Sequence, residues 1–284
     1  MPTPATPAQS QTIRDRLAAG QPAEAAAIIT AGDLTHLDLT ALDFAGVNLS
    51  GVRLDGANLS GADLRTTVFG EDASRQRTVL IRCDLRGCSL SGRDLSLWQV
   101  DLSDCDLRGA NLSGVTIDGP DADDGTDDSC TLSHLRLDGA SLVGADLDGV
   151  TFFHCDLVSA DLSGVGGVFD FEDCDLTGAS LANAAPMYLV FVGCKAPGLV
   201  LTGLKAGGEL SFEDCDLTGA RFTGLTCEEL TFEACLLTGA DLSVAAGALY
   251  AIDCDLTDLT VPEGIALQIA ASEGVATAPL DSPS

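Results

Sequence analysis

The amino-acid sequence predicts an all-β solenoid, a chain wound into stacked four-sided coils, and three observations carry that prediction. Apolar residues recur every five positions over most of the 284 residues. The phrase FEDCDLTGA at Phe171–Ala179 returns letter for letter at Phe212–Ala220, and as FEACLLTGA at Phe232–Ala240. Glycine numbers 31 while aromatic residues make up only 5%, the composition of a narrow interior filled by small and medium side chains.

The five-residue period is the strongest of these. Its central apolar residue, position i, is preceded by Asp, Asn or Ser and, at i−2, by a small residue, as in Ala57-Asn58-Leu59 and Ala62-Asp63-Leu64. Centres run through Leu39, Phe44, Leu49, Leu54, Leu59 and Leu64, and later through Leu137, Leu142, Leu147, Phe152, Leu157 and Leu162. Five matches neither the helix period of 3.6 nor a plain strand period of 2. It fits a chain that points residues i−2 and i inward and then turns a corner. Four corners close a square of about twenty residues, and glycine at i+2 suits a corner that excludes Cβ. About ten or eleven such coils would stack into a rod of about 50 Å.

The repeated phrase is then one corner revisited once per coil. Phe152, Phe171, Phe191, Phe212 and Phe232 each stand three residues before Cys155, Cys174, Cys194, Cys215 and Cys235. A phenylalanine ladder beside a cysteine ladder follows. Ten of the 11 cysteines fall at i−2, the position alanine otherwise takes, and Cys227 falls at a centre. There is no C-x-x-C and only three histidines, which argues against zinc. Cysteine acts here as a small core hydrophobe, and parallel Cβ directions predict free thiols.

On these residues the chain resembles the pentapeptide-repeat family, with the A(D/N)Lxx pattern running over residues 32–261. The resemblance implies a right-handed quadrilateral β-helix. It also implies a non-enzymatic role, either as a scaffold or adaptor or as a DNA mimic. GDLTHLDLTALDF and the Cys-Asp-Leu corners are similar to bacterial members associated with type VI secretion. Other acidic members protect DNA gyrase or topoisomerase IV from quinolones or peptide toxins.

Three segments are expected: a flexible and helical cap over 1–31, the coils over 32–261, and a C-terminal cap or tail over 262–284. Thr12–Ala19 and Ala23–Ile29 read as helices parted by Gly20-Gln21-Pro22, covering the open edge of the first coil. Glu263–Ser272 reads as a short helix over the far end. Register breaks predict projecting loops near 70–78 and 118–129, the second carrying Asp121, Asp123, Asp124, Asp127 and Asp128. An EF-hand with Gly125 at its sixth position would put Pro120 first and Ala122 third, which cannot ligate calcium.

Net charge is −29, from 14 Lys and Arg against 43 Asp and Glu. Beyond Arg136 the basic residues are Lys195, Lys205 and Arg221 alone. Such a surface repels phosphates, so direct nucleic-acid binding is not expected, and it suits a protein partner with a basic or mixed surface. No apolar run approaches the length of a membrane span, MPTPATPAQSQ lacks the pattern of a secretory signal, and a cytoplasmic location is the expectation. G-x-S-x-G, Walker A, G-x-G-x-x-G and H-E-x-x-H are all absent from the sequence; no catalytic, cofactor or metal residues are assigned.

Two surface features stand as candidates. Asp84, Asp106, Asp156, Asp175, Asp216 and Asp255 should share one column, either a charged face or a set of turn-forming side chains. MYLVFV at 187–192 puts Val190 and Val192 outward beside Asp170, Glu172, Glu213 and Glu233, so Met187, Tyr188, Val190 and Val192 form a candidate partner contact. The open ends of the rod also leave end-to-end homodimerisation available.

Overall fold

The computed structural model describes residues 3–32, 34–70, 78–92, 100–118, 130–242, 246–261, 267–271 and 274–276. Strand β1 (Thr3–Pro4) precedes helices α1 (Pro7–Ala18) and α2 (Pro22–Gly32). Short strands β2 (Leu34–Thr35), β3 (Thr78–Val79), β4 (Val100–Asp101), β5 (Thr116–Asp118) and β6 (Cys130–Ser133) follow. The longer β7 (Asp146–Phe153), β8 (Gly166–Glu172), β9 (Ala185–Val192), β10 (Glu209–Glu213), β11 (Thr226–Glu233) and β12 (Ala246–Ile252) come next. The described part closes with β13 (Leu267–Ala271) and β14 (Gly274–Ala276).

The chain is a parallel-strand β-solenoid. Its four sides are visible as four columns of parallel bridges: Asp38 pairs with Asn58, Asp43 with Asp63, Asn48 with Val68 and Arg53 with Val79. Each corner is a β-turn. Ala57 N donates to Leu54 O at 3.0 Å, and the third residue, Gly56, has φ +66°, a conformation that glycine adopts without steric cost. A Cβ at Gly56 would also stand 2.5 Å from the His36 ring of the preceding coil. Asp and Asn precede each centre because their carboxylate or amide oxygen closes the corner from outside. Asp43 Oδ1, for example, accepts from Ala45 N at 2.8 Å and Asn48 Oδ1 from Ser50 N at 2.9 Å.

The interior is a dry stack. Leu39, Phe44, Leu49 and Leu54, and most of their equivalents in later coils, are buried, with Ala, Val or Cys beside them, while Leu256 in the last coil is partly buried. The rings of Phe152, Phe171, Phe191, Phe212 and Phe232 stack in series with centroids 5.1, 5.1, 4.5 and 5.4 Å apart. Phe169 and Phe222 meet that stack edge-on. Ten cysteines, Cys83, Cys88, Cys105, Cys155, Cys174, Cys194, Cys215, Cys227, Cys235 and Cys254, are free, and several of the thiols bond to backbone groups. Cys174 Sγ accepts from Cys155 N at 3.4 Å and donates to Phe152 O at 3.2 Å, so it joins two coils at the corner. Cys194 and Cys215 donate in the same way to Phe171 O and Phe191 O.

Long strands occupy about six turns, β7 to β12, in one continuous sheet, fewer than the ten or eleven equal coils expected. The earlier turns are held by strands of two to four residues and by isolated bridges, because a side of five residues with a corner at each end leaves little extended backbone to pair. The expected helix over Glu263–Ser272 is corrected: Leu267–Ala271 is a strand parallel to β12, and β14 returns antiparallel to it. Pairing with the open edge of β12 outweighs the weak local helix preference there.

Helix α1 begins at Pro7, five residues before the expected start. Thr6 Oγ1 accepts from Gln9 N while Gln9 Oε1 accepts from Thr6 N, a capping box with Pro in the first turn. The helices lie against the first coil. Ile13, Ala25 and Ile29 are buried in the common core, Ser10 Oγ accepts from Asp38 N, and Arg14 donates to Thr40 O and Asp38. Strand β1 pairs with β2 in parallel, and Ala5 N donates to Thr35 O at 2.8 Å, so backbone groups of the first coil between residues 34 and 40 that face outward along the axis have partners.

Candidate interaction face

The six aspartates do stand in one bridge column, but other residues interleave them. The order is Asp84, Asp106, Arg136, Asp156, Asp175, Lys195, Asp216, Leu236 and Asp255. Asp84, Asp106, Asp175, Asp216 and Asp255 each accept the backbone N–H two residues on, the turn-closing role. Cations neutralise part of the column: Arg86 bridges Asp84, Arg108 lies 2.6 Å from Asp106, and Lys195 lies 2.7 Å from Asp175. The hydrogen bond from Arg86 holds the Asp84 carboxyl below its ordinary pKa, and that from Arg108 does the same for Asp106. Burial pushes Asp175 up, and bonds from Lys195 and Thr177 outweigh it, so its pKa is also lowered. Asp121, Asp123, Asp124, Asp127 and Asp128 lie outside the described residues, as do Arg75, Arg77 and Arg93.

Met187 and Tyr188 are 59% and 51% exposed, while Val190 and Val192 are half-buried. A β-bulge sets this arrangement. Gly167 pairs with Pro186 and Val168 with Tyr188, leaving Met187 unmatched between them. The neighbouring coils make room. Gly167 has φ +105°, and a Cβ there would meet Leu147 O at 2.2 Å. The Tyr188 ring lies over Gly208, where a Cβ would stand 2.8 Å from Cε1. Buried Leu189 and Phe191 alternate with outward Tyr188, Val190 and Val192.

Sheet register extends the apolar strip into a grid that sequence reading had missed. Val190 pairs with Ser211, Ser211 with Thr231, and Thr231 with Tyr250; Val192 pairs with Glu213, Glu213 with Glu233, and Glu233 with Ile252. One apolar column thus lies on β9 and a second, Tyr250 and Ile252, on β12, with Glu209, Glu213, Glu229 and Glu233 exposed between them. Steps of 21, 20 and 19 residues connect these positions, and aligning the chain on its phenylalanines would have brought YLVFV and YAI into one frame. Asp170, beside Val190, accepts from Val190 N at 3.2 Å, and burial raises its pKa.

His134 and His154 stack with centroids 5.5 Å apart at left-handed corners. Among the described residues no group of three or more His, Cys, Asp or Glu could hold a metal ion. No described helix is long and apolar enough to cross a membrane.

The family Pentapeptide repeats matches in 8 copies over residues 33–70, 80–119, 129–165 and 215–245, just over half of the chain. HetL, a pentapeptide repeat protein involved in heterocyst differentiation regulation in the cyanobacterium Nostoc sp. strain PCC 7120, is 19% identical, with 85% of this chain and 90% of that chain covered at a TM-score of 0.33. Trypsin-treated QnrB1, a plasmid-mediated fluoroquinolone resistance protein, is 16% identical, with coverages of 66% and 81% and a TM-score of 0.37. A pentapeptide repeat protein of the Arabidopsis thaliana thylakoid lumen is 23% identical over 55% of this chain and 69% of that one, at a TM-score of 0.14. No curated protein matches the sequence. With its five-residue period, four bridge columns and family matches, the chain belongs to the pentapeptide repeat family.

Proposed function

We propose that this protein is a non-enzymatic interaction scaffold, and that the outward face of β9, with Met187, Tyr188, Val190 and Val192, is where a protein partner docks. The observation that carries the reading is the exposure of two large apolar side chains, Met187 and Tyr188, on a sheet face otherwise bordered by carboxylates. An aromatic and a methionine that could be replaced by polar residues without touching the core are kept at a cost in solubility, which contact with a partner offsets. The rigid stack behind them holds the face in one shape. A type VI secretion adaptor is the specific role that this reading favours, acting in the cytoplasm.

A photo-crosslinking residue at position 188 tests this, against the same residue at exposed Arg221. A defined partner crosslinked from 188 alone, whose purified form binds M187D/Y188D more weakly than the native chain, is the expected result. Equal products from both positions would reject the face.

A second reading is favoured by the net charge of −29: a DNA mimic that occupies the basic DNA-binding surface of DNA gyrase or topoisomerase IV. In a supercoiling assay it requires either inhibition or protection from a quinolone or peptide toxin. Neither effect at micromolar protein would reject it.

A further inference from the structure

The chemistry of the partner can be read from the grid of outward side chains, an inference that rests on the proposed docking face. Glu209 and Glu213 stand four residues apart on β10, and Glu229 and Glu233 pair with them directly on β11. Four residues of strand span about 13 Å, and adjacent coils lie about 4.8 Å apart. Four carboxylates therefore mark the corners of a rectangle of about 13 by 5 Å, with Ser211 and Thr231 on its midline. The ion pairs of the described residues lie elsewhere, on Arg14, Arg16, Arg53, Arg65, Arg86, Arg108, Arg136, His154 and Lys195. Glu213 and Glu233 face each other on adjacent coils with like charge, an arrangement that costs stability unless a cation is supplied. Apolar columns wall the rectangle on both long sides, Tyr188, Val190 and Val192 on one and Tyr250 and Ile252 on the other.

We infer that this face binds an extended basic segment of a partner protein, with arginine or lysine at positions i and i+4 and a small or apolar residue at i+2. Laid over the sheet along β10 and β11, such a segment points alternate side chains downward. Residue i meets the Glu209 and Glu229 pair, residue i+2 covers Ser211 and Thr231, and residue i+4 meets the Glu213 and Glu233 pair. The spacing follows from the common rise of about 3.3 Å per residue of two extended chains. Arginine suits each seat, because its planar fork can bond two carboxylates at once. The alkyl parts of the basic side chains lie against Val192 and Ile252, and the Tyr188 ring, resting on Gly208, offers a cation–π surface at the end near residue i.

The test is a titration of the full chain with two fluorescent synthetic peptides of the same composition. One carries arginine at i and i+4 with valine at i+2; the other carries its arginines side by side. The spaced peptide should bind more tightly than the adjacent one, weaken on going from about 0.05 to 0.5 M salt, and lose at least about tenfold in affinity on E213R/E233R. E213Q/E233Q, which keeps the shape of the face, should give a smaller loss in the same direction, and circular dichroism checks that both variants are folded. Equal affinity for the two peptides, or binding unchanged by E213R/E233R, overturns the inference. Concentration-dependent self-association of the native chain that E213R/E233R abolishes also overturns it, since the occupant is then a second copy. A partner crosslinked at position 188 that lacks basic residues at the contact overturns the inference and leaves the scaffold reading standing.

Discussion

Replacing Phe191 by alanine tests the physical claim on which the fold rests, that the coils are held together by a stacked apolar interior. Phe191 is fully buried, with ring centroids 5.1 Å from Phe171 and 4.5 Å from Phe212. Truncating a core phenylalanine costs about 3–5 kcal/mol, and each aromatic pair adds about 0.5–1.5 kcal/mol beyond burial. Because a solenoid is stabilised by nearest-neighbour interfaces, the loss should be local in range. A double-mutant cycle between F171A and F191A should therefore give a coupling of about 0.5–1.5 kcal/mol. The cycle between F152A and F191A, whose rings are separated by Phe171, should give less than about 0.5 kcal/mol. Urea unfolding followed by circular dichroism supplies the free energies. Hydrogen exchange on β8 to β10 shows whether protection falls mainly on the coils that touch residue 191. Equal couplings in the two cycles, or a cost for F191A below about 1 kcal/mol, would refute the stacked-core account.

Other consequences follow from single positions. Gly167→Ala places a Cβ 2.2 Å from Leu147 O at φ +105°, so it should cost more than about 3 kcal/mol in urea unfolding, whereas Gly114→Ala, with open space around it at φ +63°, should cost about 1–2 kcal/mol. Bonds to neighbouring thiols, with burial behind them, push Cys174, Cys194, Cys215 and Cys235 up to about 12. An unfolded thiol titrates near about 8.5, so above that pH the unfolded state loses protons that the folded state keeps. The contribution of these thiols should thus be constant below about pH 8 and fall as pH rises toward 12, and Cys194→Ala should flatten that alkaline slope in thermal melts. Native protein should resist alkylation at pH 8 on these thiols, while denatured protein reacts at all of its cysteines, read by intact mass. Arg14→Ala removes the bonds to Thr40 O and Asp38, and should cost about 1 kcal/mol while speeding hydrogen exchange in the first coil.

Most of the architecture was legible in the residue pattern because a square coil with a narrow interior restricts every fifth position. Leu and Phe at the centres, Ala and Cys at i−2, Asp and Asn at i−1 and Gly at i+2 each answer a steric or hydrogen-bonding demand of the corner. Strand length was less legible. It depends on how much backbone between two corners pairs with both neighbouring coils, which the bulges at Met187 and between Thr226 and Glu229 alter. The C-terminal strand was hidden for a related reason: Leu267–Ala271 has no five-residue pattern, and its conformation is set by the free edge of β12 beside it.

The candidate face shows the same division. MYLVFV announced an apolar interruption by its composition alone, since the outward residues Asp170, Glu172, Glu213 and Glu233 of the neighbouring strands are acidic. That Val190 and Val192 are half-buried while Met187 and Tyr188 stand clear was decided by the bulge and by the glycines beneath them. The alignment of Tyr250 and Ile252 with that strip, across two coils of glutamates, required the register of five stacked strands. By itself the sequence determined which side chains must be inside, because burial is enforced at every turn by the same small cross-section. Only the tertiary structure decided which outward side chains become neighbours, because coils of 19 to 21 residues bring together positions whose separation along the chain is not constant.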